Sequence, residues 1–307
     1  MELKEVEKEI FCEVAGVFEI PEGAYNFRVN GKSIGRKSSE NIEIKTKKEK
    51  SGLDIYIKKG TKNEQVHIPV AISVTGLKEV VYNDFYIGDE AEVTIIAGCG
   101  IYNCGGLDAL HDGIHRFFVG KKAKIKYIER HYGFGKGPGG KILNPTTEVH
   151  LAEGAEAELL MEQIKGVDST IRKTMADLKD GAKLKVEERL MTHGRQVAES
   201  VYEVKLDGVD ATATVTSRSI AQDFSRQTFK AKIIGNNKCR GHSECDAIIM
   251  DQAQVFAIPS LEAKNVEAEL IHEAAIGKIA SEQIIKLMTL GLEKKAAEAK
   301  IINGFLK

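Results

Sequence analysis

The chain reads as an all-β protein: a parallel β-helix (solenoid) with a short α-helical C-terminal segment and a small mixed N-terminal region. Three observations carry that reading. From about Gly88 to Gly277 one grammar repeats, in which a glycine or turn-former is followed by a small residue and then by period-two alternation. Small or apolar residues take one phase and charged or hydroxyl residues the other, the pattern of half-buried strands. Gly154, Gly181 and Gly208 recur every 27 residues, and Gly235 extends the series, as expected of stacked coils that cover one another's apolar edges. A twisted β-sandwich gives similar alternation, but the regular recurrence and the alanines at tight inward positions favour the solenoid.

The elements follow in order. Residues 1–80 form the mixed N-terminal region, with a helix-like opening over Leu3–Phe11, mixed strands after it, and a Lys-rich solvated loop at Lys45–Lys50. Residues 81–278 form the solenoid core. Its strands include Lys121–Tyr127 after Gly120, Ala155–Leu159 after Gly154, Ala182–Val186 after Gly181 and Val209–Val215 after Gly208. Residues 279–307 are helical: Ser281 opens a helix with an acidic first turn, Gly291 interrupts it, and an Ala-, Glu- and Lys-rich helix runs from Glu293 to Ile302 and stops near Gly304. Two short helices on a solenoid either cap its end or present a docking surface.

Composition narrows the function. The 44 basic and 45 acidic residues among 307 create no global field for nucleic acid or an anionic membrane. Trp is absent and aromatics make up 6%, which argues against base-stacking platforms or a sugar cleft. The opening run Met1–Lys8 is charged, and no run approaches the ~18 apolar residues of a membrane span. A cytoplasmic location follows as the expectation. Cys12, Cys99, Cys104, Cys239 and Cys245 are then expected to be thiols or metal ligands rather than a disulfide framework.

Two constellations carry chemistry. The first joins His242-Ser243-Glu244-Cys245-Asp246 to Leu270-Ile271-His272-Glu273-Ala274; a thiol, an imidazole and carboxylates on neighbouring strands could hold iron or zinc. Each has a plainer reading. Cys245 packs as a small hydrophobe, His272 continues the apolar phase of Val266, Ala268 and Leu270, and Glu273 falls on the opposite, solvated phase. A bulge or strand end is needed for His272 and Glu273 to face one ligand. The second is Cys99-x4-Cys104-x6-His111-x3-His115, a candidate second metal site that resembles a Cys2His2 zinc site with a short middle spacer. Packed cysteines and turn residues are its alternative, and Asp112-Gly113 between the histidines suggests a loop. Gly133–Gly140 lacks the Gly-Lys-Ser/Thr ending of a phosphate loop, and Pro138 removes a donor; it reads as a flexible turn, with no nucleotide site.

The stretch from Thr216 to Phe305 resembles the B/D scaffold family (SufB/SufD) of the SUF iron–sulfur cluster assembly system. Ser217-Arg218-Ser219-Ile220-Ala221-Gln222-Asp223, Cys245-Asp246-Ala247-Ile248-Ile249, Ala257-Ile258-Pro259-Ser260-Leu261-Glu262, His272-Glu273-Ala274-Ala275-Ile276-Gly277-Lys278-Ile279, Ser281-Glu282-Gln283 and Ile302-Asn303-Gly304-Phe305 carry the likeness. Cys245 and Glu273 match the B-type scaffold pattern, while Ile271 stands where that motif usually has another glutamate.

The resemblance implies a right-handed β-helix whose C-terminal helices bind an ABC-type ATPase (SufC-like) subunit. It implies a homodimer within a two-plus-two complex, with Cys245, His272 and Glu273 of both copies at one interface. There a 4Fe–4S or 2Fe–2S cluster would be held transiently, fed by a sulfur donor and passed to apo iron–sulfur proteins. On this reading the chain is a scaffold and not an enzyme, and ATP hydrolysis belongs to the partner. The alternatives are a D-type structural subunit of the same complex, which binds no cluster, and a zinc-binding β-helix protein. A polysaccharide-cleaving β-helix is disfavoured by the sparse aromatics and the lack of a convincing carboxylate pair.

Overall fold

The computed structural model describes residues 3–16 and 21–306; Met1, Glu2 and Lys307 lie outside them, as do residues 17–20. Two sheets of ten strands each wind into a β-solenoid. The chain alternates between sheets: Glu156–Lys165 in the first is followed by Ser169–Leu178 in the second, then by Lys183–Thr192 back in the first. Each strand therefore pairs in parallel with the strand one coil away, as Glu156 with Lys183 and Ser169 with Val197. Parallel pairing needs a long crossover, and here the crossover is the opposite wall of the same coil.

Alternation sets the core. In Lys183–Thr192 the residues Leu184, Val186, Glu188, Leu190 and Thr192 are buried while Lys183 and Lys185 are exposed. The inward residues of both sheets meet in one apolar column, with Phe85 stacked on Phe117 at 4.6 Å. The outward charges form ladders across rungs, such as Arg130 and Arg189 on either side of Glu162.

The glycine period is corrected in detail. Gly154 and Gly181 do occupy left-handed corner positions (φ 66° and 64°), but Asp210 (φ 55°) fills that corner in the next coil. Gly208 is needed nearby for another reason, because a Cβ there would lie 2.1 Å from the backbone of Lys179 and Asp180. Gly235 ends a strand of the second sheet. Coils vary in length: His131 aligns with Gln163, Leu143 with Thr170, and Ser243 with His272, separations of 32, 27 and 29 residues.

The two ends differ. The first sheet begins with an antiparallel hairpin, Ala24–Val29 with Lys32–Lys37, and the second with Ile42–Thr46 against Gly52–Ile57. Parallel pairing already starts there, between Ala24–Val29 and Glu64–Ile72. Helix α1, Glu5–Ala15, packs Ile10, Phe11 and Val14 on this region. At the other end the last strands, Gln254–Ala263 and Ala268–Gly277, each pair on one side only. Helices α2, Ser281–Thr289, and α3, Lys294–Phe305, follow. Ala280, not Ser281, is the N-cap of α2 and makes no side-chain cap, and α3 runs on through Gly304. No helix among the described residues is long and apolar enough to cross a membrane.

Candidate functional site

Strands Cys239–Ile249 and Ala268–Gly277 are the last two rungs of the first sheet, and their register places Ser243 beside His272, Glu244 beside Glu273, and Cys245 beside Ala274. Face alternation then separates the candidate ligands. Cys239, Gly241, Ser243, Cys245 and Ala247 are buried on the inner face, while His242, Glu244 and Asp246 look outward. His272 shares the inner face, and its Nδ1 makes a 2.8 Å hydrogen bond with Ser243 Oγ. Glu273 lies on the outer face, 68% exposed, with Oε2 3.6 Å from His242 Nε2. The ladder runs without a bulge, so one subunit brings Cys245 and His272 onto a common face and leaves Glu273 on the other.

Cys245 is 1% exposed. Burial pushes its thiol up to about 12, with the charges of Glu188 and Asp246 adding to the effect. In this environment it is a thiol, and it needs a change of surroundings or a metal to become a thiolate.

Inward of Cys245 runs a polar column that sequence reasoning missed. Ser217 is its lateral neighbour, then Glu188, Met161 and Glu129 in successive coils. Glu188 accepts hydrogen bonds from Ser217 (2.7 Å) and Ser200 (2.5 Å). Arg172, 3% exposed, donates to Glu129 and lies 3.5 Å from Glu188. Burial alone would push Glu129 up, but Arg172, with His131 and His115 beside it, holds it at about 2. The signal was present in the phase: Glu129 and His131 continue the inward series of Ile125 and Tyr127.

The second cluster is split. Asp112-Gly113 is not a loop: Ala109–Val119 is a strand that turns His111, Gly113 and His115 inward. Gly113 lacks a side chain and lets the two imidazoles close over it. These histidines, Cys99, Glu129 and His131 line an interior cavity of about 20 Å³, about one water's worth of space. Cys104 lies outside on an exposed loop. A hydrogen bond with Tyr102 lowers its thiol pKa, helped by the backbone of Lys136 and Gly137.

The internal donors are already engaged. His111 Nδ1 meets Glu79 at 3.0 Å, and His115 meets Tyr127 at 2.7 Å and Asn83 at 3.2 Å. Among the described residues no three His, Cys, Asp or Glu side chains are gathered for an ion. The glycine-rich turn wraps the Cys104 loop, since a Cβ at Gly135, Gly137 or Gly139 would strike the backbone of residues 103–107.

A family profile described as the SUF system FeS cluster assembly SufBD core domain matches residues 81–305. The chain belongs to the SufBD family. It is 29% identical over 89% of its length to an iron-sulfur cluster assembly SufBD family protein of Methanocaldococcus jannaschii, spanning 87% of that protein. It is 30% identical over 82% of its length to a SufBD family protein of Archaeoglobus fulgidus, spanning 68% of that chain. It is also 30% identical, over 32% of its length and 22% of the relative's, to the iron-sulfur cluster assembly protein SufB of Bacillus subtilis. For this SufBD chain, involvement in iron–sulfur cluster assembly is thereby established.

Proposed function

We propose that this chain is a B-type scaffold, in which two copies meet through their last coils and build a cluster at the seam. One observation carries the reading. His272 and Glu273 sit on the last rung of the first sheet, whose outer edge is unpaired, Cys245 sits on the rung beside it, and exposed Ile258, Val266 and Ile271 adjoin them. An open edge with apolar neighbours is a template for another chain, and an isologous contact brings both sets of ligands together.

Thiolate is the strong cluster ligand, and a thiol can carry sulfur as a persulfide. Imidazole and carboxylate are harder and match iron–sulfide less well, so a mixed set favours release. Cys245 receives sulfur and anchors iron, His272 ligates or orients, and Glu273 completes the shell from the other face. The cluster is cargo, passed on to apo-proteins. Because Cys245 is buried and Glu273 faces away from it, assembly requires the last coil to rearrange.

Helix α2 is suited to transmit that change. It buries no residue of its own, exposing Ile285 and Met288, whereas α3 is anchored on Ile220, Met191 and Met250. Docking of an ABC-type ATPase on α2 would pull on a strand-to-helix junction only a few residues beyond His272. A nucleotide drives such a shift only by the difference in its affinity for the two geometries.

Anaerobic reconstitution of Cys245→Ser with iron and sulfide tests the reading. Loss of cluster absorbance and of transfer to an apo-acceptor is expected, and wild-type behaviour would remove Cys245 from the site. The protonated, buried state of Cys245 favours a second reading, a D-type structural subunit. A cluster-free wild-type protein that still binds the ATPase would establish it.

A further inference from the structure

His272 has two ring nitrogens, and its neighbour Ser243 decides which of them carries the proton. Ser243 is 0% exposed, on the inner face of Cys239–Ile249. Its Oγ lies 2.8 Å from His272 Nδ1 on the next rung. Among the described residues Ser243 makes no other side-chain hydrogen bond, and its burial keeps water from the hydroxyl.

A serine hydroxyl has one proton to give and can also accept. Were Nδ1–H to donate to Ser243, the hydroxyl proton would be left in a dry interior without an acceptor, which is costly. Donation from the hydroxyl to Nδ1 satisfies both groups. In a neutral imidazole one nitrogen donates and the other accepts, so Nδ1 as acceptor puts the ring proton on Nε2. The backbone holds this choice, because Ser243 and His272 are direct register partners in a ladder without a bulge. The two nitrogens point to opposite sides of the ring, so Nε2–H turns away from Ser243, toward the unpaired edge of Ala268–Gly277.

We infer that Ser243 is a positioning residue that holds His272 as an Nε2–H donor, so that the imidazole hydrogen-bonds anionic sulfur at the seam instead of ligating iron through that nitrogen. A protonated ring nitrogen has no lone pair for a metal. Histidines that bind metal usually donate their other N–H to a carboxylate, a carbonyl or water, and Ser243 imposes the reverse arrangement. An N–H directed at persulfide or sulfide is a charge-assisted bond that steadies sulfur without adding an iron bond to be broken at release. The inference rests on the scaffold reading for sulfur as cargo and narrows His272 from ligand to donor.

Long-range proton–nitrogen NMR of the whole chain, reduced, metal-free and isotopically labelled at histidine, reads the tautomer at a pH above the ordinary histidine range. His272→Gln identifies the signal by its loss. Wild-type His272 should show a bare Nδ1 and a protonated Nε2. Ser243→Ala should give a mixture of tautomers, and Ser243→Thr, which keeps the hydroxyl, should restore the single form. A wild-type ring protonated at Nδ1, or a tautomer indifferent to Ser243→Ala, would overturn the assignment. In anaerobic reconstitution with iron and sulfide, His272→Gln keeps an N–H donor and should retain the cluster absorbance that Cys245→Ser loses. Loss as complete as in Cys245→Ser would make His272 a ligand and end the donor role. The expected tautomer in a protein that assembles no cluster would sink the scaffold reading alone. Cluster assembly in a protein whose His272 carries its proton on Nδ1 would sink this inference alone.

Discussion

Arg172 is the residue on which the interior depends. It is held between Glu129 and Glu188 in a column closed to water, and removing one partner of such a set leaves charge buried without compensation. Arg172→Met should cost on the order of 3–5 kcal/mol in urea unfolding, whereas replacing the exposed Lys121 of the outer ladder should leave the urea midpoint essentially unchanged. The same column sets the acid limit. Burial pulls His115 and His131 down to about 4, below the ordinary value of about 6.5 they regain on unfolding. The unfolded chain therefore binds more protons between those values, and stability falls as pH drops from about 6.5 to 4, by up to about 3 kcal/mol per histidine. Glu129, held at about 2, stays charged across that window and adds its own loss only below about 4.5. Urea midpoints at pH 7, 5.5 and 4.5 should decline in order, and a flat profile would contradict the buried neutral histidines. Thiol reactivity separates likewise: iodoacetamide should label exposed Cys104 first, while buried Cys99, Cys239 and Cys245 react on unfolding.

At the scale of elements, much was legible because a strand's two faces are written in alternate letters. The solenoid, its helical tail and the Gly154 and Gly181 corners could be read from small-residue turns and period-two runs. Coil length could not, since a corner accepts Asp210 as well as glycine, and one added residue leaves no mark on local alternation. The opposed faces of His272 and Glu273 followed from phase alone, and the open question was whether a bulge would override it; none does. The Asp112-Gly113 pair misled because turn chemistry and strand chemistry share those residues, and the glycine is there to make room for two inward histidines. The same use of glycine seats α1. A Cβ at Gly100 would lie 2.4 Å from Ile10 Cγ2, and one at Gly98 would lie 2.8 Å from Val14. Gly100→Val should lift α1 from the sheet at a cost of about 1–3 kcal/mol. It should expose the helix to limited proteolysis while leaving the solenoid's far-ultraviolet signal intact. Protection equal to wild type would mean the helix is held elsewhere.

Over the whole molecule the two ends face opposite demands. Stacked coils bury each other's edges, so the first and last coils decide whether a solenoid stops, grows or pairs. The first coil stops it: antiparallel hairpins close both sheets, and the outermost strand, Lys32–Lys37, carries Lys32, Arg36 and Lys37, charges that discourage further pairing. The last coil is closed less completely: Pro259 removes one donor from the edge of the second sheet, but Ala268–Gly277 at the edge of the first carries no proline or lysine, and Val266 and Ile258 stand exposed beside the free backbone. Association is therefore expected at this end only, and through backbone edges as well as side chains. Placing lysines there imitates the closure found at the other end. Ile258→Lys with Val266→Lys should raise the self-dissociation constant by at least two orders of magnitude in sedimentation equilibrium, with no loss of thermal stability measured on the monomer. Replacing Arg36 and Lys37 with serine should not weaken association, since those charges oppose pairing at the other end. A wild-type chain that is monomeric at tens of micromolar, or a lysine variant that still pairs, would place the contact on some other surface and remove the seam at which Cys245 and His272 were to meet their copies.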